Sequence, residues 1–332
     1  MLSASDVLEI VSSRGLRREE AREVARSILD GGLTDVQVAG VLMSIRARGE
    51  TPEELAGFAE GMMERALPVD VRADLDIAGT GGDGAGTMNA STAAALLVAG
   101  RLRVFKHGNR SASGRTGSAD FLEALGYNLN AGPGSAARLI SRTGFAFAFA
   151  PLYHPAMRAV AGVRRQLGVR TLFNLLGPLT NPARPESRLI GVASPRLMRT
   201  MSEAAALLGI RRAAIVHGEP GIDEVSPCGR TRVLLLRDGS TEEVELDPED
   251  LGLRRADIER LRVRDPAESA SRFMDALRGR DEAALQFVLA NAGAALWASG
   301  AAGSPREGVD RALGLLEGAE DRVRRIVEAS WE

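Results

Sequence analysis

The chain has 332 residues, 45% of them hydrophobic and 26% charged, with a formal net charge of -2. A usual domain holds roughly 100 to 200 residues, so two domains, or one large one with an appendage, are expected, and the composition excludes a mostly disordered chain. No basic surplus exists to neutralise a nucleic-acid backbone or an anionic membrane, so neither is expected as a partner. A single cysteine, Cys228, excludes an intramolecular disulfide, and the opening MLSASDVLEI lacks a signal-peptide pattern. The best apolar run, 94–100, falls short of the roughly 18 residues that span a bilayer, and a cytoplasmic location is expected.

The first 70 residues read as helices. Thr34 with Gln37, and Thr51 and Pro52 with Glu54, form N-terminal capping boxes, and Val38, Val41, Leu42 and Ile45 recur at the spacing of an amphipathic helix. A helical domain over 1–70, joined by part of 150–185, is expected before an α/β domain over 71–332. From about residue 75, short apolar strands at 75–78, 103–105, 145–149, 189–193, 213–217 and 233–236 alternate with alanine-rich helices at 91–99, 118–125, 135–141 and 196–208. The last 65 residues are again helical, and the acidic stretch 238–250 reads as a surface loop or an edge strand. The fold class expected is α/β, a small N-terminal helical domain plus a large domain with a central mixed sheet flanked by helices.

Four segments carry chemistry. The first, DIAGTGGDGAGTMNAST over 76–92, runs from a strand through a glycine-rich loop into a helix N-terminus, a combination that favours a bound phosphate. Asp83 in that loop would repel a bare anion, so a phosphorylated sugar with a divalent cation fits better; the competing reading is a plain strand-to-helix turn. The second, VFKHGNRSASGRTGSAD over 104–120, sets Lys106, His107 and Arg110 at a strand end, followed by Ser111, Ser113, Thr116 and Ser118, a concentrated set of phosphate donors or else a solvated basic loop. Lys106 is the single lysine, so arginine supplies the other 41 of 42 basic residues, and a compact ammonium differs from a planar fork at a tight phosphate contact. The third, GEPGIDEVS over 218–226, offers adjacent Asp223 and Glu224 to a hard cation such as Mg²⁺, although acidic pairs are common on surfaces. The fourth, over 149–182, intersperses His154, Arg158, Arg164 and Arg165 in a helical stretch that ends in NLLGPLTNP; an arginine over an apolar wall suits an aromatic carboxylate, whereas His154 alone reads as a packed or capping residue.

Together GTGGDGAGTMNAST, KHGNR, GSADFLEALG, the HPAMR to GPLTNP stretch, GIDEVSP and VLANAGAALWASG resemble the anthranilate phosphoribosyltransferase family in order and spacing, across nearly the whole chain. The resemblance implies transfer of the phosphoribosyl group of 5-phosphoribosyl 1-diphosphate (PRPP) to the amine of anthranilate, with Mg²⁺ as cofactor, pyrophosphate as product and no covalent protein nucleophile. It implies PRPP contacts at Gly79, Gly82, Asp83, Thr87, Asn89, Ala90, Ser91 and Thr92, and a second set at Lys106, His107, Gly108, Asn109, Arg110, Ser111, Ala112, Ser113, Gly114 and Ser118. Anthranilate contacts at Gly79, Asn109 and Arg164, metal ligands at Ser91, Asp223 and Glu224, and a homodimer through the N-terminal helices are implied likewise. Gly114 and Arg115 stand where the family commonly has serine and lysine, which bears on phosphate affinity more than on reaction type. The alternatives are a pyrimidine nucleoside phosphorylase, whose glycine loop usually carries lysine, and a silent paralogue that binds nucleic acid.

Overall fold

Capping chemistry sets the N-terminal elements of the computed structural model, which describes residues 4–111 and 115–332. Helices α1 (Ala4–Ser13), α2 (Arg18–Leu29), α3 (Asp35–Arg48) and α4 (Pro52–Met63) follow one another. Both expected boxes form: Gln37 N donates to the Thr34 hydroxyl and Thr34 N to Gln37 Oε1, and the Thr51–Glu54 pair exchanges the same two bonds. Glu54 does more than cap. Its fully buried carboxylate also accepts from Leu16 N at 3.1 Å and from the Arg48 guanidinium, tying the turn before α2 to the start of α4.

The elements β1 (Leu75–Gly79), α5 (Ala90–Val98), β2 (Val104–Gly108), α6 (Ser118–Ala124), α7 (Pro133–Thr143), β3 (Phe145–Phe149), α8 (Ala150–Tyr153), α9 (Arg158–Leu167), β4 (Ser187–Gly191), α10 (Arg196–Leu207) and β5 (Arg212–Gly218) alternate as the apolar periodicity predicts. After them come β6 (Thr231–Arg237), β7 (Ser240–Leu246), α11 (Pro266–Leu277), α12 (Glu282–Ala298), α13 (Pro305–Gly314) and α14 (Ala319–Ala329). The sheet order is β3-β2-β1-β4-β5-β6-β7; the first five strands in that order are parallel, and β6 and β7 are antiparallel. The sheet is therefore mixed. Its edge, β7, carries Glu242, Glu243 and Glu245, charges that discourage pairing with another chain. Strand β2 runs on through Lys106, His107 and Gly108, polar residues that hide its C-terminal half from an apolar-run reading.

Three apolar cores cover the sheet, the smallest formed by Phe105 of β2 and Ala146 and Ala148 of β3 with α7. On one face α5 and α12 pack on Ile77, Val104, Phe147 and Leu189. On the other, α2, α3, α4, α9 and α10 share one core with Ile190, Val192, Ala213, Ile215 and Leu236. The helical domain thus meets the α/β domain through α9 and α10, and α10 in turn packs on β5 and β6. Beside this core lie two buried histidines, His107 at the end of β2 and His154 after α8, with ring centroids 5.0 Å apart. His107 Nδ1 donates to Gly177 O at 3.0 Å and His154 Nε2 to Thr180 O at 2.9 Å, and burial pushes their pKa values down to about 4 and about 3. Both are neutral at pH 7.

Replacing Glu54 with alanine strands two backbone donors and one arginine, and is expected to lower stability in chemical denaturation by about 3 kcal/mol, with Glu54→Gln losing less. For the histidines, the unfolded chain binds protons below pH 6.5 while the folded chain does not, so stability present above that pH is lost as pH falls toward 4. Each histidine contributes about 1.4 kcal/mol per pH unit of this loss. Urea titrations at pH 7, 6 and 5 should show His154→Gln losing stability less steeply than the parent.

Candidate active site

The C-terminal ends of β1 and β2 open into a cavity of about 540 Å³ that lies between the sheet and the helical side, at the end of the strands where open α/β sheets bind ligands. Gly79, Gly82, Asp83, Thr87, Asn89, Ser91, Thr92, Lys106, His107, Gly108, Asn109, Arg110, Ser111, Ser118, Arg164, Asp223 and Glu224 all line it. Segments more than 140 residues apart in sequence thus converge on one space, as Gly81 N donating to Asp223 Oδ2 at 2.6 Å shows. Ala90 does not line the cavity. As the first residue of α5 it is fully buried, and its methyl packs into the core beneath. Ala112, Ser113 and Gly114 lie outside the described residues.

The glycine loop is held from three directions. Its N-terminal end is tied to β4 through Thr80 N, which donates to Gly191 O, and Ala193 N donates back to the Thr80 hydroxyl. Its C-terminal end pairs with a strap near residue 262, where Met88 N donates to Leu261 O and Val263 N to Gly86 O. Asn89 sits in a polar knot: Asn89 N donates to Ser269 Oγ, and the Ser269 and Thr116 hydroxyls donate to Asn89 Oδ1 at 3.0 and 2.7 Å. Ser269 and Thr116 orient a residue singled out from sequence, but Ser269 lies too far along the chain for any motif to connect them.

A carboxylate cluster forms the floor. The loop carrying Asp223 and Glu224 passes so close to β4 that a Cβ on Gly191 would lie 1.6 Å from Asp223 O, and buried Asn291 of α12 fixes the next residue by exchanging two hydrogen bonds with the Val225 backbone. Glu224 Oε1 accepts from Ser91 N at the start of α5. Burial, reinforced by the Asp83 charge, raises the Asp223 carboxyl to about 7, and burial with the Asp223 charge raises Glu224 to about 8. Asp223 and Glu224, desolvated and crowded by each other and by Asp83, create a demand for positive charge. No three His, Cys, Asp or Glu side chains form a complete protein cage among the described residues. That suits Mg²⁺, which takes one or two carboxylates and completes its shell with water and substrate oxygens, so the donor set fits the ion.

The expected group of three cations is rearranged by the fold. Lys106 is buried with its ammonium donating to Ile77 O, where its charge faces Asp76, Glu224 and Asp223, and desolvation lowers its pKa. It serves as counter-charge under the floor. His107 is neutral for the reason given above. Arg110 directs its guanidinium to Asp120 and Glu123 at 2.8–2.9 Å. The uncommitted cations are elsewhere. Arg164 of α9, partly buried, lies 5.8 Å over the Phe173 ring and its desolvation lowers its pKa, which favours an anionic partner. Arg170, absent from the sequence-based set, also lines the cavity, as do His154 and Arg158, whereas Arg165 does not.

The chain resembles known proteins over its whole length. The glycosyl transferase family helical bundle domain matches residues 8–66, and the glycosyl transferase family a/b domain matches residues 72–319. An anthranilate phosphoribosyltransferase of Pyrobaculum arsenaticum is 49% identical over 95% of this chain and 94% of its own. The crystal structure of anthranilate phosphoribosyltransferase from Thermus thermophilus superposes with a TM-score of 0.90 at 43% identity, covering 98% of this chain and 100% of that one. The Saccharomyces cerevisiae enzyme of the same name, in complex with PRPP and Mg, superposes with a TM-score of 0.84 at 27% identity, covering 99% and 93%. The likeness spans both the helical bundle and the a/b domain, and the chain belongs to the anthranilate phosphoribosyltransferase family.

Proposed function

We propose that this protein transfers the 5-phosphoribosyl group of PRPP to the amine of anthranilate and releases pyrophosphate, the second step of tryptophan synthesis from chorismate. One observation carries the reading: a glycine loop and a buried acidic floor share a single cavity with Arg164, an arginine without a carboxylate partner among the described residues. The first two suit a metal-bound phosphorylated sugar and the third an aromatic carboxylate. The full-length likeness to transferases sets the phosphorylase and nucleic-acid readings aside.

In this reading the loop residues Gly79, Gly82, Asp83, Thr87, Asn89, Ser91 and Thr92 hold the diphosphate and ribose, with Gly108, Asn109, Ser111 and Ser118 on the opposite wall. Ser91, Asp223 and Glu224 are the ligands for Mg²⁺, which when bound neutralises negative charge on the diphosphate oxygens. Lys106 keeps the acidic floor from accumulating uncompensated charge. Arg164 binds the anthranilate carboxylate over the Phe173 ring, with Gly79 and Asn109, which line the same cavity, as its further contacts. The anthranilate amine is a competent nucleophile once aligned, so orientation replaces a covalent intermediate. Where C1–O cleavage builds negative charge on the leaving group, the loop N–H groups and the α5 N-terminus supply fixed partial positive charge.

A homodimer through the N-terminal helices accords with α3, which is apolar on both sides. Val38, Val41, Leu42 and Ile45 face the core, whereas Val36 and Met43, seven residues apart, are 82% and 36% exposed. No helix is long and apolar enough to cross a membrane among the described residues, and a cytoplasmic location goes with the single cysteine.

Mixing the protein with anthranilate, PRPP and Mg²⁺ should quench anthranilate fluorescence, and omission of any one should abolish the loss; a folded protein that leaves the fluorescence unchanged contradicts the proposal. Arg164→Gln should raise the KM for anthranilate about 10- to 100-fold, because a charge-assisted bond is lost, while the KM for PRPP changes less than about threefold. Equal changes in the two constants would remove Arg164 from the carboxylate site.

A further inference from the structure

Arg170 follows α9 at the cavity wall and makes two contacts that link distant parts of the molecule. Its carbonyl oxygen accepts from the Arg46 guanidinium of α3, and its own Nη2 donates to Thr80 O in the glycine loop at 2.8 Å. The side chain lies against the loop so tightly that a Cβ on Gly82 would fall 1.7 Å from Nη1. Gly82 also has φ +80°, a left-handed conformation that a larger residue adopts only under strain. Loop and arginine are therefore a matched pair.

Its guanidinium keeps donors to spare at the acidic side of the cavity. The Arg170 charge faces Asp223 and Asp83, yet the guanidinium forms no ion pair within 4.0 Å, and Nε and Nη1 make no hydrogen bond among the described residues. Arg110 on the same cavity is saturated by Asp120 and Glu123, and Arg115 donates to Val263 O. Once a divalent cation takes the acidic floor, those acids no longer offset Arg170, and two neighbouring cations repel. A further anion must then compensate the arginine, and donors pointing along the glycine loop meet the diphosphate end of the donor substrate first.

We propose that Arg170 is a leaving-group residue: Nη2 holds the first turn of the glycine loop, and Nε and Nη1 bind the diphosphate. This assignment rests on the transferase reading above. As the anthranilate nitrogen forms its bond to C1, the C1–O bond breaks and its electron pair stays on the pyrophosphate; the amine proton leaves to solvent. Arg170 transfers no proton. Its donors stabilise the charge that the departing oxygen acquires. By anchoring at Arg46 it also makes the glycine loop sensitive to the position of the helical domain.

The experiment pairs steady-state kinetics with calorimetric titration of Mg²⁺ and pyrophosphate into the parent, Arg170→Gln and Arg170→Lys. Activity of the parent is established first, and its absence would overturn the transferase reading whatever the variants do. With an active parent, Arg170→Gln is expected to raise the KM for PRPP and the pyrophosphate dissociation constant by a similar factor of about 10 to 100, with the KM for anthranilate changed less than about twofold. Arg170→Lys, which keeps the charge but not the fork, should fall between the two. Unchanged pyrophosphate affinity in Arg170→Gln, or equal changes in both Michaelis constants, would overturn the assignment. Should Arg170→Gln fail to fold, Arg170→Lys carries the test, and parental pyrophosphate affinity in it would overturn the assignment equally.

Discussion

A buried carboxylate in the middle of a parallel strand governs how the site is assembled. Asp76 of β1 is almost fully inaccessible, and burial pushes its pKa up against the pull of Lys106. Its two oxygens accept from His107 N on β2 at 3.1 Å and from Asn181 Nδ2 at 2.8 Å, and the same amide nitrogen donates to Phe105 O. One acid therefore binds the neighbouring strand and the distant loop that follows α9. An unpaired charge in that position would cost several kcal/mol, so the loop around residue 181 cannot drift without exposing the sheet's interior polarity. The strand end that brings His107 to the cavity and the loop around residue 181 are held in register by the same carboxylate.

A second concentration of charge has the opposite character. Asp83, Asp223 and Glu224 crowd together where stability alone would place apolar groups, and the raised values for Asp223 and Glu224 register the cost. The surroundings are rigid in proportion. Asn291 clamps Val225, Gly191 admits the passing backbone, and Lys106 lies beneath. Such a cluster is tolerated because several packed elements hold it, and a concentration of unfavourable charge of this kind is a mark of functional sites.

Sequence patterns disclosed most of the architecture because local chemistry agreed with the final fold. The Thr34 and Thr51 boxes, the strand over 145–149 and the acidic edge at 240–246 each depend on neighbours within a few residues. The glycine loop and the Asp223–Glu224 pair were legible only in combination with the other motifs, since an acidic pair alone is common on surfaces and a glycine loop alone can be a plain turn. Other features depend on what the chain meets in space. Nothing near Lys106 indicates that its ammonium turns beneath the floor, nor does Arg110 announce its two carboxylate partners. Arg170 was invisible for a plainer reason: among 41 arginines, one more in a helical stretch carries no signal until Gly82 is seen beside it. Ala90 differs from its neighbours, since helical phase turns its methyl into the core while Asn89 and Ser91 face the cavity.

The core shared by α2, α3, α4, α9 and α10 with the inner face of β4 and β5 bears on the protein's history as well as its mechanics. The matched helical-bundle segment ends at residue 66 and the matched a/b segment begins at residue 72, yet the apolar contacts run straight across that seam. Excised alone, the bundle would expose the side of α4 that α10 covers, and the a/b part would expose the matching side of α10. These two modules are therefore poor candidates for shuffling between proteins. Divergence in this architecture is easier through the loops at the strand ends, where residues can change without disturbing the seam.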